Sequence, residues 1–438
     1  TSSASLTVRD IHFDASSSAC GGDGEYDGDG EVGCDEPVVG DPCSGLRVRA
    51  TTTSAGAGEY ALTLRNVLVD GAPGHGVDVV VNGDADALLD WRDVVLSRNG
   101  EHGASVSVQT SGELTASLKY VVMSGNGDNG LFVDDRAGGS STYTFDHVLA
   151  DANAGDGVGI SAGSKMSALT FETSESSYIN NDGYGIDIVF GANAALTFVA
   201  VDTVLSHNDE WGANVYAPGH NAQNTVVLER VHAKHNGDGG AQFRFDGTTS
   251  QVADVDALVR HSTFNDNGDA GLLLWQVEDG SLVAQITDVE AVNNVGNGIR
   301  LLEPDDGSSG TLTATLCDVR VSGTRASADG RDCDGSAMQL DCDGANIFLF
   351  GTRSAVFKNV TTTDAESYGI FSQGKAAVQH ELTFTAPGVV ASGNGDDGVH
   401  LVAPVTTHFA QNVRGSGNGG LLLNVVDGTG ASVYAEDR

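Results

Sequence analysis

The sequence predicts an all-β fold: a right-handed parallel β-helix, a solenoid of about 14 coils with 27–28 residues and three short strands in each. An Asn–Gly signature recurs at a fixed spacing, and apolar residues alternate along the segments between its copies. No segment carries the 3.6-residue apolar period of an amphipathic helix. Read as one stack, residues 1–438 form a single β-helix domain with loop insertions at 14–44 and 323–346.

The signature is an Asn four residues before a Gly. It occurs as Asn99/Gly103, Asn126/Gly130, Asn153/Gly157, Asn181/Gly185, Asn208/Gly212, Asn236/Gly240, Asn267/Gly271, Asn294/Gly298 and Asn394/Gly398. From Gly103 to Gly298 the steps are 27, 27, 28, 27, 28, 31 and 27 residues. After the Gly, the first and third positions are apolar, as in Leu131 and Val133 or Ile186 and Ile188. That alternation marks a strand with one buried face. A second alternating stretch follows a polar turn (Leu114, Ala116, Leu118), and a third leads into the next Asn (Val121, Met123). One coil cannot bury its own inward face, but stacked coils can. The Asn is expected to take a left-handed conformation and the Gly the other positive φ. Stacked Asn side chains can also hydrogen-bond along the axis.

A leucine-rich repeat has a similar period but needs an apolar residue two positions after the Asn. Here that position holds Glu101, Asp128, Gly155, Gly183, Glu210, Asp238, Asp269, Gly296 and Asp396. The repeat instead resembles the right-handed parallel β-helix repeats of the pectate-lyase-like superfamily, over nearly the whole chain. The resemblance implies a fold more than an activity, since that superfamily holds lyases, hydrolases, phage spikes, adhesins and surface proteins.

Asp and Glu total 60 against 22 Lys and Arg, for a net charge of −38. Such a surface repels nucleic acid and anionic lipid, whose binding needs cationic side chains. No apolar run approaches the ~20 residues of a membrane span, so no membrane insertion is expected. The six cysteines fall in two clusters, Cys20, Cys34 and Cys43, then Cys317, Cys333 and Cys342. No C-x-x-C pair occurs, so disulfides within each cluster are expected, with one thiol left over in each. They imply an oxidising compartment, hence an extracellular or cell-surface location.

Both insertions are polar and carry a cysteine cluster. In the first, Asp23, Glu25, Asp27, Asp29 and Glu31 place oxygens at every second residue, with Gly28 at the sixth position. That is the grammar of an EF-hand-like calcium loop, so calcium is the expected cofactor. The departure is at the twelfth position, which is Cys34 rather than a carboxylate. An acidic column in the repeat turn (Glu101 with Asp128; Glu210, Asp238 and Asp269) should attract cations, since carboxylates ~5 Å apart repel.

The β-helix lyases that the repeat resembles use carboxylate-bound calcium with an Arg or Lys base. The hydrolases use paired carboxylates with a Gly-His-Gly. Gly74-His75-Gly76 and Asp396-Asp397 are both present, but many coils apart. Arg244, Arg300 and His400 fall at outward parity on strands, and His207 and His235 precede the repeat Asn on adjacent coils near Asp209. Trp91, Trp211 and Trp275 stand alone in a chain that is only 6% aromatic, and local packing is the reading for Trp211. No acid/base constellation is recognisable. The sequence therefore points to a non-enzymatic structural or adhesive solenoid, self-associating end to end through uncapped ends. A polysaccharide lyase or hydrolase, or a non-catalytic glycan-binding module, is the alternative.

Overall fold

The computed structural model describes residues 4–14, 23–26, 32–35, 44–51, 59–83, 85–163, 166–191, 194–218, 222–246, 253–277, 280–303, 310–326, 344–374, 380–402, 405–409, 413–426 and 432–435. Among them there is no helix. The chain divides into two compact units, Thr1–Ala217 and Pro218–Arg438. Each is a parallel β-solenoid, and together they hold about 11 turns. Sequence spacing suggested about 14.

In the first unit, the strands that follow the repeat Gly stack in parallel from Leu46–Thr51 through Val77–Gly83, Ala104–Thr110, Leu131–Asp135 and Val158–Ala162 to Ile186–Phe190 and Ala213–Ala217. Register pairs equivalent residues, as in Leu131 with Val158 and Val133 with Ile160. The alternating apolar positions therefore face inward: Val106, Val133, Ile160 and Ile188 are all buried. The second and third strands of a coil often run on as one element, such as Asp86–Ser97, bent at a left-handed residue. Asp93, Tyr120 and His147 occupy that corner on consecutive coils, with φ of 55°, 54° and 56°. In the second unit, Ala241–Asp246, Leu272–Val277, Ile299–Leu302, Ile347–Phe350, Ile370–Gln373, Val399–Val402 and Leu423–Val426 stack in the same way. Ile299 pairs with Ile347 across the 323–346 segment, so the post-Gly strands keep their register there, while Thr311–Ser322 meets Thr352–Thr363 with a shift between Leu312 and Thr313.

The Asn column does form a ladder. In the first unit Asn99, Asn126, Asn153 and Asn181 each donate through Nδ2 to Oδ1 of the next Asn, at 2.9, 2.8, 2.9 and 2.9 Å, ending on Asn208. In the second, Asn236 donates to Asn267 at 3.0 Å, Asn267 to Asn294 at 2.9 Å, and Asn394 to Asn418 at 2.8 Å.

The conformational reading of the turn needs correcting. The left-handed residue is the one before the ladder Asn: Arg98, Ala152, Asn180 and His207 have φ of 54°, 56°, 56° and 59°. The Asn itself must keep its side chain along the axis, so the preceding residue makes the bend. The repeat Gly has no positive φ either. It is needed for close approach: a Cβ at Gly103 would sit 2.5 Å from the carbonyl oxygen of Gly130 and 2.8 Å from Asn126 Nδ2.

The edges of the post-Gly strands are also less bare than the sequence suggested. In the first unit Asp23–Tyr26 pairs with Leu46–Thr51 through Glu25 and Tyr26, and is itself paired antiparallel with Val32–Asp35. In the second, Leu423–Val426 pairs antiparallel with Ser432–Ala435. Both hairpins use backbone groups that would otherwise be open to strand addition.

Candidate functional site

Each coil ends its turn on the residue just before the repeat Gly. In the first unit this residue is His75, His102, Asn129, Asp156, Tyr184 and Trp211 on six successive coils. Their backbones align, since Gly76, Gly103, Gly130, Gly157 and Gly185 each donate to the carbonyl of the equivalent residue one coil on, at 2.8–3.0 Å. Beside this column, on the side of the strands away from the core, runs the second residue of each strand, Asp78, Ser105, Phe132, Gly159, Asp187 and Asn214, of which Asp78 and Asn214 are buried. The two columns make a strip of rings, amides and carboxyls on an otherwise repetitive surface.

Rings hold one end of the strip. His75 and His102 stack with centroids 5.0 Å apart and planes 5° apart, and His102 stacks on Phe132 at 5.1 Å. The backbone N–H of Asn129 donates to Nδ1 of His102 at 3.1 Å. That nitrogen is therefore an acceptor, which assigns the proton of neutral His102 to Nε2. Burial, and then the neighbouring His75, hold the His102 pKa below its usual value, against the pull of Asp128. Two residues of the acidic column predicted in this turn, Glu101 and Asp128, lie beside these histidines. Glu101 Oε2 lies 3.1 Å from His75 Nε2, and Asp128 Oδ2 lies 3.7 Å from His102 Nδ1.

Carboxyls hold the other end. Asp156 Oδ1 accepts the backbone N–H of Tyr184 at 2.9 Å, and Oδ2 accepts Asn129 Nδ2 at 3.1 Å. Glycine gives this carboxyl its space, since a Cβ at Gly159 would fall 3.1 Å from Oδ2 and one at Gly183 would collide with Oδ1. Burial pushes Asp156 up to about 6, helped by the negative charges of Asp187 and Glu210 and opposed by its two donors. Asp187 is raised as well, first by burial and then by Glu210, although Asn214 Nδ2 donates to it at 2.8 Å. A raised carboxyl binds its proton more tightly in the folded state. Asp156 thus adds stability below its unfolded value of 3.8, and that contribution is lost as pH rises through about 6. Replacing Glu210 with Gln should lower the Asp156 midpoint, read by carboxyl 13C NMR; an unchanged midpoint would remove Glu210 from this explanation.

The second unit uses the same two positions differently. The matching strand positions hold Leu273, Arg300, Phe348, Phe371, His400 and Asn424, the first four of them buried. Phe348, Phe371 and His400 form a continuous ring stack at 5.2 and 5.5 Å, with Tyr368 tilted against His400 at 4.7 Å. Asp397 accepts from His400 Nδ1 at 2.7 Å, Asn424 Nδ2 at 2.9 Å and the Leu421 N–H at 2.6 Å. Burial alone would raise this carboxyl, but those donors hold it below its usual value. Burial and then the charges of Asp396 and Asp397 push Tyr368 up to about 12.

Asp23 and Glu25 lie on Asp23–Tyr26, while Asp27, Asp29 and Glu31 lie outside the described residues. Among the described residues no three His, Cys, Asp or Glu form a metal-holding group. Gly74-His75-Gly76 contributes His75 to the first unit's strip, and Asp396-Asp397 belongs to the second unit. Arg244 lies over Trp275, 4.3 Å from the ring, and pairs with Asp246. Trp91 is core and Trp211 is buried, as local packing required. His207 and His235 each take the left-handed position before their ladder Asn, one in each unit. Cys317 is free, its thiol donating to Asp318 at 3.2 Å. Cys20, Cys43, Cys333 and Cys342 lie outside the described residues, and no disulfide occurs among those described.

Asn129, Phe132, Asp156, Tyr184 and Asp187 were not singled out from sequence. Reading the position before each repeat Gly as one column would have found three of them. Comparison of the chain with protein-family models, with curated proteins and with solved structures finds no match.

Proposed function

We propose that the chain is an extracellular adhesive solenoid that holds an extended glycan along the outward strip of its first unit. The observation that supports this most is the column His75, His102, Asn129, Asp156, Tyr184, which offers one ring or hydrogen-bonding group per coil. Successive coils stand ~4.8 Å apart, a spacing comparable to the length of one sugar residue. Flat rings such as Phe132 suit the apolar face of a sugar, and the carboxylates of Glu101, Asp128 and Asp187 accept its hydroxyls. The net charge of −38 favours a neutral or amino-sugar chain over a polyanion. A glycan array probed with the full chain tests the reading. Phe132→Ala should weaken binding to the retained glycans about tenfold, in line with the loss of one stacking contact. Phe132 faces outward, so its loss leaves the core intact; undiminished binding by that variant would count against the strip.

One observation favours a second reading, a polysaccharide lyase or glycoside hydrolase of the pectate-lyase-like superfamily. Asp156, protonated below about 6, sits near the charges of Asp187 and Glu210. A proton donor beside ionised carboxylates is the equipment of general acid–base catalysis. Product release that disappears in Asp156→Asn while binding persists would move the assignment from adhesin to enzyme.

A further inference from the structure

Asn129 and Asp156, at the centre of the strip, hold each other twice across adjacent coils. The backbone N–H of Asp156 donates to Asn129 Oδ1 at 2.8 Å, and Asn129 Nδ2 donates to Asp156 Oδ2 at 3.1 Å. These two bonds fix which way the amide points, since its oxygen can only accept and its nitrogen only donate. The other carboxyl oxygen, Oδ1, accepts the backbone N–H of Tyr184 at 2.9 Å. Three glycines surround the pair. A Cβ at Gly155 would sit 2.2 Å from Asn129 Oδ1, one at Gly159 2.5 Å from Asn129 Nδ2, and one at Gly183 2.4 Å from Asp156 Oδ1. At each of these three places a glycine stands where a side chain would crowd the pair.

Both carboxyl oxygens accept, so this geometry belongs to the ionised acid. A proton on Asp156 turns one oxygen into a donor. The Tyr184 N–H is main chain and keeps its place, so the proton falls on Oδ2, against Asn129 Nδ2. Two donors then face each other. If the amide turns over, its Oδ1 accepts the new O–H, but its Nδ2 meets the Asp156 N–H, and that bond is lost instead. Neither orientation satisfies both contacts once the acid is protonated. Charged groups act on the pair from both sides. On the preceding coils, Asp128 Oδ1 and His102 Nδ1 share the backbone N–H of Asn129, at 3.0 and 3.1 Å. On the following coils stand Asp187 and Glu210. Burial first, then those two charges, push Asp156 up to about 6 against its Tyr184 and Asn129 donors.

We propose that Asn129 and Asp156 form a proton-operated latch on the strip: ionised Asp156 holds the Asn129 amide in one orientation, and protonated Asp156 releases it, so that mild acid weakens glycan binding. The latch rests on the proposed function for its ligand, and on this pair alone for its chemistry. One pH unit below the midpoint, about one molecule in ten keeps the latch closed, so affinity there falls by up to about tenfold. By linkage, a bound glycan lowers the midpoint to the same extent.

NMR of the full chain with 15N-labelled asparagine, followed over roughly two pH units on either side of the midpoint, tests the latch directly. The Asn129 side-chain amide should shift with the same midpoint as the Asp156 carboxyl, read by 13C. Affinity for a glycan retained on the array should fall with that midpoint too, and should move with it in Glu210→Gln. An Asn129 amide that ignores the titration of Asp156 would overturn the latch. So would an affinity that stays level across the midpoint, or one whose midpoint stays put when Glu210→Gln moves that of the carboxyl; either result leaves the glycan reading standing. If the array retains no glycan, the proposed function falls and the amide alone decides the latch: titration in step with Asp156 supports it, and indifference overturns it.

Discussion

Replacing Asn153 with Ala is expected to destabilise the first unit by about 4 kcal/mol. Asn153 is fully buried. Its Nδ2 donates to Asn181 Oδ1 at 2.9 Å and to the carbonyl of Met123 at 3.2 Å. Its Oδ1 accepts Asn126 Nδ2 at 2.8 Å and the Asn126 backbone N–H at 3.2 Å. Alanine would leave two donors on Asn126 and two acceptors, on Met123 and Asn181, each a partner short. A buried unsatisfied group costs about 1–3 kcal/mol. Relaxation and water entry keep the total below the sum of four such penalties. Urea denaturation of the full chain checks the size, and amide exchange at Gly127 and Ala154 checks the place. A loss under about 1 kcal/mol, the worth of one ordinary hydrogen bond, would mean the ladder does not tie coil to coil.

Gly103→Ala should cost a similar amount, about 3–5 kcal/mol, for a steric reason. The added Cβ meets the Gly130 carbonyl oxygen at 2.5 Å and Asn126 Nδ2 at 2.8 Å. Both belong to the adjacent coil, and neither is the free end of a flexible side chain. The coils would have to part locally, stretching the Gly103 N–H bond to the Asn129 carbonyl, now 2.9 Å. Gly125→Ala is the control. Gly125 has φ of 62° but its nearest neighbour to an added Cβ is 3.8 Å away. Only the backbone penalty of about 1 kcal/mol applies there. Equal costs at the two positions, read from denaturation midpoints, would refute close approach as the reason for the repeat Gly.

These two residues also show how far the sequence could be read. The Asn99-to-Asn294 series and its Gly partners reveal a solenoid because the same steric and hydrogen-bonding problem recurs once per coil. Alternation such as Leu131, Val133 gives the buried face because strand parity is local. The division of labour inside the turn was not legible. Asn and Gly are both left-handed formers by propensity, yet the ladder claims the Asn side chain and crowding claims the Gly, so the bend falls to Arg98, Ala152 or His207. The terminal hairpins were hidden because Asp23–Tyr26 and Ser432–Ala435 carry no alternation.

The site was harder still. His102, Asn129, Asp156 and Tyr184 share no residue type and stand 27 or 28 positions apart. They become one strip only when coils stack. The raised Asp156 depends on burial by neighbouring coils and on Asp187 and Glu210, one and two coils away. Asp397 sits at the equivalent position of the second unit, yet it is lowered, because His400, Asn424 and the Leu421 N–H all donate to it. The same register position thus carries opposite acidities, set by partners that only stacking supplies.

The most direct test is a crystal structure of the full chain soaked with an oligosaccharide it retains on the array. The strip predicts sugar rings running along the first unit, one over Phe132 and hydroxyls within hydrogen-bonding distance of Asp187 and the Asn129–Asp156 pair. A bound oligosaccharide that touches neither the column from His75 to Tyr184 nor the outward residues beside it would contradict the proposed function.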